Sequence, residues 1–164
     1  MSTEGSPVEN RRGKVDAAGV RVAVVAARFN HHITDSLLAG ALAALREHGA
    51  TDDDIVTIRV PGAWELPQTA ARAVRSGAFD AVVTLGCVIR GETPHFDYVC
   101  QEASLGLGAV ARSSDIPVVF GVLTTDDDAQ ARARAVAGKD NKGYEAAMAA
   151  LEMVQVYRDM DGSS

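Results

Sequence analysis

Four short apolar runs alternate along the chain with longer segments in which apolar residues recur at helical spacing. The runs are VRVAVVAA (20–27), IVTIRV (55–60), FDAVVTLGCVI (79–89) and IPVVFGVL (116–123). They are rich in Val and Ile, which is typical of parallel strands that are covered by helices on both faces. The pattern therefore predicts four β-strands.

The segments between and after these runs predict five helices. In the first helix, Thr34-Asp35 is predicted to form the N-cap, and Gly49 follows the C-terminus. Its buried face is predicted to consist of three leucines, Leu38, Leu42 and Leu45.

The other helices are predicted from similar signals. The segment 64–77 is helical if Pro67 lies in its first turn, where a missing N–H is tolerated. A long helix is predicted over 96–112, and another over 143–158. Thr124-Thr125 is predicted to cap a short helix in the segment DDDAQARARA.

Alternating strands and helices with short loops predict an α/β fold, a three-layer αβα sandwich around a four-stranded parallel sheet in one domain. We expect a flexible N-terminal tail over residues 1–14, the domain over 15–158 and a C-terminal tail over 159–164. In such folds ligands bind beyond the carboxyl ends of the strands, so the loops after each strand are the candidate functional segments.

Charge and composition narrow the function classes. The net charge is −6, which argues against non-specific binding to nucleic acid. Cys87 and Cys100 show neither CxxC spacing nor a metal-ligand pattern, so reduced thiols in a cytoplasmic location are expected. We expect no membrane partner, since no apolar run is long enough to span a bilayer and the start MSTEGSPVENRRG lacks the apolar core of a secretory signal.

Aromatic, basic and imidazole side chains gather at the predicted strand ends. Arg28-Phe29-Asn30 follows the first strand, Pro61–Glu65 the second and Arg90–His95 the third, while Phe120 lies in the fourth. These residue types suit a planar heterocycle stacked on an aromatic ring and an anion held by Arg and by backbone N–H groups.

Each of these residues also has a structural explanation when it is taken alone. A Phe at a strand end usually belongs to the core, and Trp64 can pack rather than bind. Gly91 and Pro94 can simply shape a turn. Phe96, Asp97 and Tyr98 are predicted to contribute to packing and to the start of the third helix.

The order of the motifs resembles that of the lumazine synthase family. The matching strings are ARFN (27–30), VPGAWELP (60–67), LGCVIRGETPHFDYV (85–99), FGVLTT (120–125) and NKGYEAA (141–147). Any one string is a weak signal, but together, in this order and spacing, they are specific. The resemblance implies a flavodoxin-like fold.

The resemblance also implies a reaction. 5-Amino-6-(D-ribitylamino)uracil would condense with 3,4-dihydroxy-2-butanone 4-phosphate to give 6,7-dimethyl-8-ribityllumazine, phosphate and water, in the penultimate step of riboflavin biosynthesis. It implies that no metal and no organic cofactor are required. This agrees with the sequence, which has no ligand cluster and no GxGxxG after a strand.

Residue roles follow from the resemblance by position. His95 would transfer protons, and Glu92, Thr93 and Arg134 would hold the phosphate, so that His95 and Arg134 are the expected catalytic residues. The ribitylaminouracil would be bound by Phe29, Ala63, Trp64, Glu65, Cys87, Val88, Ile89, Phe120 and Lys142. Phe120 would come from a neighbouring subunit.

The assignment of Arg134 has a rival in Arg132. The family often has an acidic residue before this Arg and Ala-Gly after it, whereas here Ala133 precedes and Ala135-Val136 follows. Residues two apart on a helix point about 200° apart, so only one of the two arginines can face a site. Arg134 is preferred because it lies eight residues before Lys142, as in the family.

The resemblance implies a homopentamer, and the short connector AGKDN (137–141) leaves open a shell of 60 subunits. Riboflavin synthase is a further partner that the family suggests. Two other function classes remain. A receiver-type signalling domain would need an acidic cluster after the first strand, where this chain has Arg-Phe-Asn. A catalytically weakened flavin-binding or shell-forming homologue is the stronger rival.

Overall fold

A computed structural model describes residues 8–162 of the chain. Its four strands are β1 (Val22–Ala27), β2 (Ile55–Val60), β3 (Ala81–Ile89) and β4 (Val118–Thr125). The helices are α1 (His31–Glu47), α2 (Leu66–Arg75), α3 (His95–Arg112), α4 (Asp128–Ala133) and α5 (Lys142–Met160). Single 3-10 turns precede β2 and α2.

The strands form one parallel sheet in the order β2-β1-β3-β4. β1 is buried on both faces, because its side chains alternate between two apolar layers. One layer packs against α1 and α5, and the other against α2 and α3. The structure thus confirms the α/β sandwich with four parallel strands, a fold of the flavodoxin-like type, and each strand begins and ends within about two residues of its prediction.

The predicted start of α1 is wrong. The helix begins at His31, three residues before Thr34, and its N-cap is Asn30 in the left-handed conformation with φ 59°. The Asn30 carbonyl accepts hydrogen bonds from the N–H groups of Ile33 and Thr34 at 2.8 and 3.0 Å. Thr34 is consequently a fully buried residue in the first turn and caps nothing.

The buried face of α1 also differs from its prediction. Leu45 is buried, but Leu38 and Leu42 are only half-buried. The contact to the core is made by smaller or neighbouring residues, namely Ile33, Leu37, Gly40, Ala41 and Ala44. The prediction at the other end of the helix is confirmed, since Gly49 follows it with φ +105°.

The predicted cap of α4 is wrong as well. Thr124 and Thr125 belong to β4, and the N-cap is Asp127, whose carboxylate accepts a hydrogen bond from the Gln130 N–H at 2.8 Å. Since α4 ends at Ala133, Arg134 is its C-cap rather than a residue within the helix. Pro67, in contrast, lies in the first turn of α2 as predicted.

Asn141 fixes the start of α5. Its side-chain oxygen accepts hydrogen bonds from the N–H groups of Gly143 and Tyr144, at 2.8 and 3.1 Å. Its amide donates to the carbonyls of Ser36 and Ala135, at 3.2 and 3.1 Å. The side chain is 1% exposed, so a single buried amide joins α1, the connector after α4 and α5.

Helices α1 and α5 approach each other closely around this amide. A Cβ atom at Gly40 would collide with the Asn141 side chain, and one at Gly143 would collide with the Leu37 carbonyl. The two glycines therefore permit backbone contact between the helices.

The chain termini lie partly outside the described residues. Residues 1–7 of the predicted N-terminal tail and residues 163–164 of the predicted C-terminal tail are not described, and the tail assignments stay predictions. Gly13 is buried against the Glu152 carbonyl of α5, and α5 continues two residues beyond the predicted domain end, to Met160.

Thr34→Val should raise the free energy of unfolding by about 1 kcal/mol, because the buried Thr34 hydroxyl has no hydrogen-bond partner in the described chain. Thr84→Val is the matched control: Thr84 is equally buried, but its hydroxyl donates to the Val119 carbonyl at 2.7 Å. Urea unfolding at one protein concentration should show a higher free energy of unfolding for Thr34→Val than for the wild type, and a lower one for Thr84→Val. A similar loss in both would contradict the interpretation of Thr34.

Candidate active site

The loops at the carboxyl edge of the sheet enclose a cavity of about 550 Å³. It lies between the segments after β1, β2 and β3 and the first turn of α3. Most of the predicted site residues line it, namely Phe29, Ala63, Trp64, Glu65, Cys87, Val88, Ile89, Thr93 and His95. Glu92, Phe120, Arg134 and Lys142 are not among its lining residues.

Phe29 stands at the end of β1 on a fixed backbone. Its N–H donates to the Pro61 carbonyl at 2.9 Å, which joins this corner to the loop after β2. The ring is 71% exposed although it is strongly apolar. An exposed ring on a rigid backbone at a cavity edge can stack on a planar ligand without rearrangement.

Asn30 is a residue whose role the sequence did not reveal. Its amide donates to the Cys87 carbonyl at 2.9 Å, so that it ties the end of β1 to β3. The left-handed backbone at Asn30 directs this amide across the sheet edge. The only sequence signal was an Asn directly after a strand, and Asn is enriched in this conformation.

The loop after β2 is closed by Glu65. Its Oε2 accepts a hydrogen bond from the Gly62 N–H at 3.1 Å, which forms half of a capping box at the start of the next turn. Oε1 accepts no bond from the described residues and can accept one from a hydroxyl group in the cavity. Trp64 is 52% exposed beside it, so that it does not belong to the core.

Cys87 contributes a buried wall rather than a reactive thiol. Burial, and secondarily the negative charge of Asp128, raises the pKa of this thiol from 9.0 to about 11. Its carbonyl already accepts the Asn30 amide, which occupies one of the oxygen's two lone pairs. Val88 and Ile89, which follow it, are half-buried and line the same wall.

The segment Gly91–His95 forms the rim of the cavity and is exposed throughout. The Thr93 hydroxyl accepts a weak hydrogen bond from the His95 N–H at 3.4 Å, and His95 is the first residue of α3. A Cβ at Gly91 would meet no atom within 4 Å. The missing side chain therefore leaves room in the cavity and relieves no clash within the chain.

Phe120 and Lys142 lie in a different hollow, of about 270 Å³, between β4 and α5. β4 is an edge strand, and Phe120 is 47% exposed on it. Lys142 Nζ pairs with Glu145 Oε2 at 2.9 Å. A single chain therefore places Phe120 and Lys142 on a surface separate from the cavity.

The two candidate arginines have different partners. Arg132 pairs with Asp128, which also lies 2.6 Å from Nε2 of His32. Hydrogen bonds from these two side chains hold the pKa of Asp128 below its ordinary value. Arg134 Nη1 donates to the Gln130 carbonyl at 2.9 Å, and no carboxylate of the described residues pairs with it. Its charge is therefore the less compensated of the two.

Within residues 8–162, no group of three or more His, Cys, Asp or Glu side chains could hold a metal ion. No helix in that range is both long and apolar enough to cross a bilayer.

Cys87 should be alkylated by iodoacetamide slowly in the folded protein at about pH 8. Its raised pKa alone should make the reaction roughly 100-fold slower than in the urea-unfolded chain, because thiolate is the reactive form. Cys100, which is less buried, should react first. Mass spectrometry of the two cysteine peptides would measure both rates, and equal rates would contradict the inert role of Cys87.

One comparison with known protein families bears on this site. The model of the 6,7-dimethyl-8-ribityllumazine synthase family matches residues 19–158 of the 164-residue chain. This range contains all four strands, the cavity, and Phe120, Arg134 and Lys142. The match confirms the resemblance found in the sequence: the chain belongs to the 6,7-dimethyl-8-ribityllumazine synthase family, which consists of transferase-type enzymes of riboflavin biosynthesis.

Proposed function

We propose that the protein condenses 5-amino-6-(D-ribitylamino)uracil with 3,4-dihydroxy-2-butanone 4-phosphate to form 6,7-dimethyl-8-ribityllumazine, with release of phosphate and water. The single observation that carries the proposal is the cavity in which Phe29, Glu65 and His95 meet. An aromatic face, a carboxylate and an imidazole suit a heterocycle, a polyol chain and a sequence of proton transfers, respectively.

The heterocycle would stack on Phe29, and its ribityl hydroxyls would donate to Glu65 Oε1. This carboxylate is already held by the Gly62 N–H, so that little conformational entropy is lost when the substrate binds. Ala63 and Trp64 would border the ribityl chain, and the backbone of Cys87–Ile89 would border the pyrimidine.

The phosphate of the second substrate would bind beside Thr93 at the N-terminus of α3. The dipole of this 18-residue helix favours an anion at its N-terminus, although the N–H groups of His95 and Asp97 already donate to Thr93 and Pro94. Glu92 is exposed and would contribute its N–H group rather than its carboxylate. Arg134 of a neighbouring subunit would supply the compensating positive charge.

His95 would move the protons of the reaction. Schiff-base formation, loss of phosphate and ring closure each require proton transfer near neutral pH, where an imidazole can accept and donate. Holding the two substrates together would supply the larger part of the rate, since effective molarity can be worth roughly 7–11 kcal/mol. His95 would therefore assist a reaction that proximity already favours.

The site would be completed by a second copy of the chain, in a homopentamer. Phe120 and Lys142 lie in a hollow separate from His95, which supports their contributing to the site of a neighbouring subunit. Helix α3 adds exposed apolar surface that a neighbour would cover, since Tyr98 and Leu105 are 65% and 63% exposed. Tyr98 lies in the first turn of α3, in agreement with its predicted place at the start of the helix, but a single chain leaves its ring exposed.

The lumazine product should form when both substrates are mixed with the purified protein, and chromatography with mass detection would identify it. A flavin titration on the same sample tests the alternative, a catalytically weakened flavin-binding homologue. Flavin binding without product formation would overturn the proposed reaction and support the alternative. Size-exclusion chromatography with light scattering would distinguish a pentamer from a 60-subunit shell.

His95→Ala should lower kcat by about 10²-fold without abolishing the reaction, because proximity remains. Arg134→Ala should instead raise KM for the phosphate-bearing substrate by about tenfold or more, because a charge-assisted contact to its phosphate is lost. Arg132→Ala is the matched control, since Asp128 already pairs with Arg132. Wild-type kinetics in His95→Ala, or a larger effect in Arg132→Ala, would contradict these assignments.

Co-expression of His95→Ala with Phe120→Ala should give mixed oligomers that are more active than the mean of the two parents. If each site combines His95 of one subunit with Phe120 of the next, roughly a quarter of the sites regain both residues. If each site were instead formed within one chain, every site would lack either His95 or Phe120. Activity equal to the parental mean would then contradict a site shared between subunits.

A further inference from the structure

Arg90 follows β3 directly, and although its side chain is 50% exposed, it contacts both the end of β4 and the first turn of α3. Its N–H donates to the Thr125 carbonyl at the end of β4, at 2.9 Å. Its guanidinium Nε donates to Asp126 Oδ1 at 3.1 Å. Arg90 is therefore anchored by its backbone to the last residue of β4 and by its side chain to Asp126, the residue that follows.

The same guanidinium reaches the first turn of α3. Nη1 lies 3.5 Å from Asp97 Oδ1, and Cζ lies 4.4 Å from the centroid of the Phe96 ring. The second distance is that of a cation–π contact. One planar cation thus joins the end of β4 to the two residues that follow His95.

The segment between these anchors has little else to hold it. Residues 91–95 are exposed, so burial does not fix their positions. The one side-chain hydrogen bond found within the segment is the weak contact between Thr93 and the His95 N–H. Phe96 is half-buried and lines the cavity, so the position of its ring determines part of the cavity wall.

Arg90 is unsuited to being an anion ligand itself. It does not line the cavity, and the carboxylates of Asp97 and Asp126 compensate its charge. We propose that Arg90 is a positioning residue that holds the first turn of α3, and with it His95 and Phe96, at the rim of the cavity. Its effect on catalysis rests on the proposed function, but its anchoring effect does not.

The planar shape of Arg explains why this residue type is needed. A guanidinium can contact the Phe96 ring with its face while an N–H group donates to Asp126 and its positive charge pairs with Asp97. A Lys ammonium can make one of these contacts well, but it cannot stack as a planar group. Charge alone would therefore not be sufficient.

Arg90→Met should lower kcat/KM for both substrates by about tenfold to a hundredfold, because a displacement of about 1 Å in a catalytic group has an effect of this size. Arg90→Lys should resemble Arg90→Met more than the wild type. Arg46→Met is the matched control, since Arg46 Nε pairs with Asp52 at 2.8 Å at the far end of α1, and its kinetics should be unchanged. Wild-type kinetics in Arg90→Lys would overturn the proposal.

A double-mutant cycle tests whether Arg90 acts through Phe96. The double variant Arg90→Met/Phe96→Leu should be less impaired than the product of the two single effects, because both substitutions disrupt one contact. Strictly multiplicative losses would overturn this coupling. A rise in KM confined to the phosphate-bearing substrate would overturn positioning as well, because it would identify Arg90 as a direct phosphate ligand.

Hydrogen exchange gives a readout that needs no substrate. The amides of residues 91–97 should exchange several-fold faster in Arg90→Met than in the wild type, and they should be unaffected in Arg46→Met. Unchanged exchange in Arg90→Met would overturn the anchoring role. A wild-type protein that formed no lumazine would overturn the proposed function alone, and faster exchange in Arg90→Met would still support the anchoring role.

Discussion

The parallel pairing of β1 with both β2 and β3 is the constraint on which the site depends. Ala27 pairs with Val60, and Ala26 pairs with Leu85, so the three strands end at one edge of the sheet. Residues that are far apart in the sequence meet there because the carboxyl ends of parallel strands lie at the same edge, and a one-residue shift of a strand would turn its side chains to the opposite faces. The Asn30 amide adds a cross-link at this edge, from the end of β1 to the Cys87 carbonyl.

The sequence was sufficient for the features that depend on local pattern. Apolar runs located all four strands, and the position of Pro67 indicated the first turn of α2. The predictions were wrong where tertiary contacts determine the local structure. Thr34 is a residue type that often forms an N-cap. The helix nevertheless begins at His31, because Asn30 adopts a left-handed backbone and its amide donates a hydrogen bond across the sheet edge to Cys87. Such a long-range bond leaves no trace in hydrophobic periodicity.

In the candidate site, too, some features follow from local sequence pattern and others depend on tertiary contacts. Strand-end loops predicted a shared position for Phe29, Glu65 and His95, and the cavity brings them together. No local pattern could show that Phe120 and Lys142 lie in another hollow, since this depends on the sheet order that makes β4 an edge. The sequence assigned Phe96 and Asp97 only to packing and to the start of a helix. Both contact the side chain of Arg90, which is close to them in the sequence, but the hydrophobic pattern does not predict this contact.

The close contact of α1 and α5 has a consequence for how the sequence can vary. Gly40 and Gly143 face the Asn141 side chain and the Leu37 carbonyl so closely that neither position has room for even a methyl group. Both belong to the helices that Asn141 joins to the connector between Arg134 and Lys142. In a library of random substitutions selected for activity, these two glycines would therefore tolerate as little change as residues that touch the substrate, although neither lines the cavity.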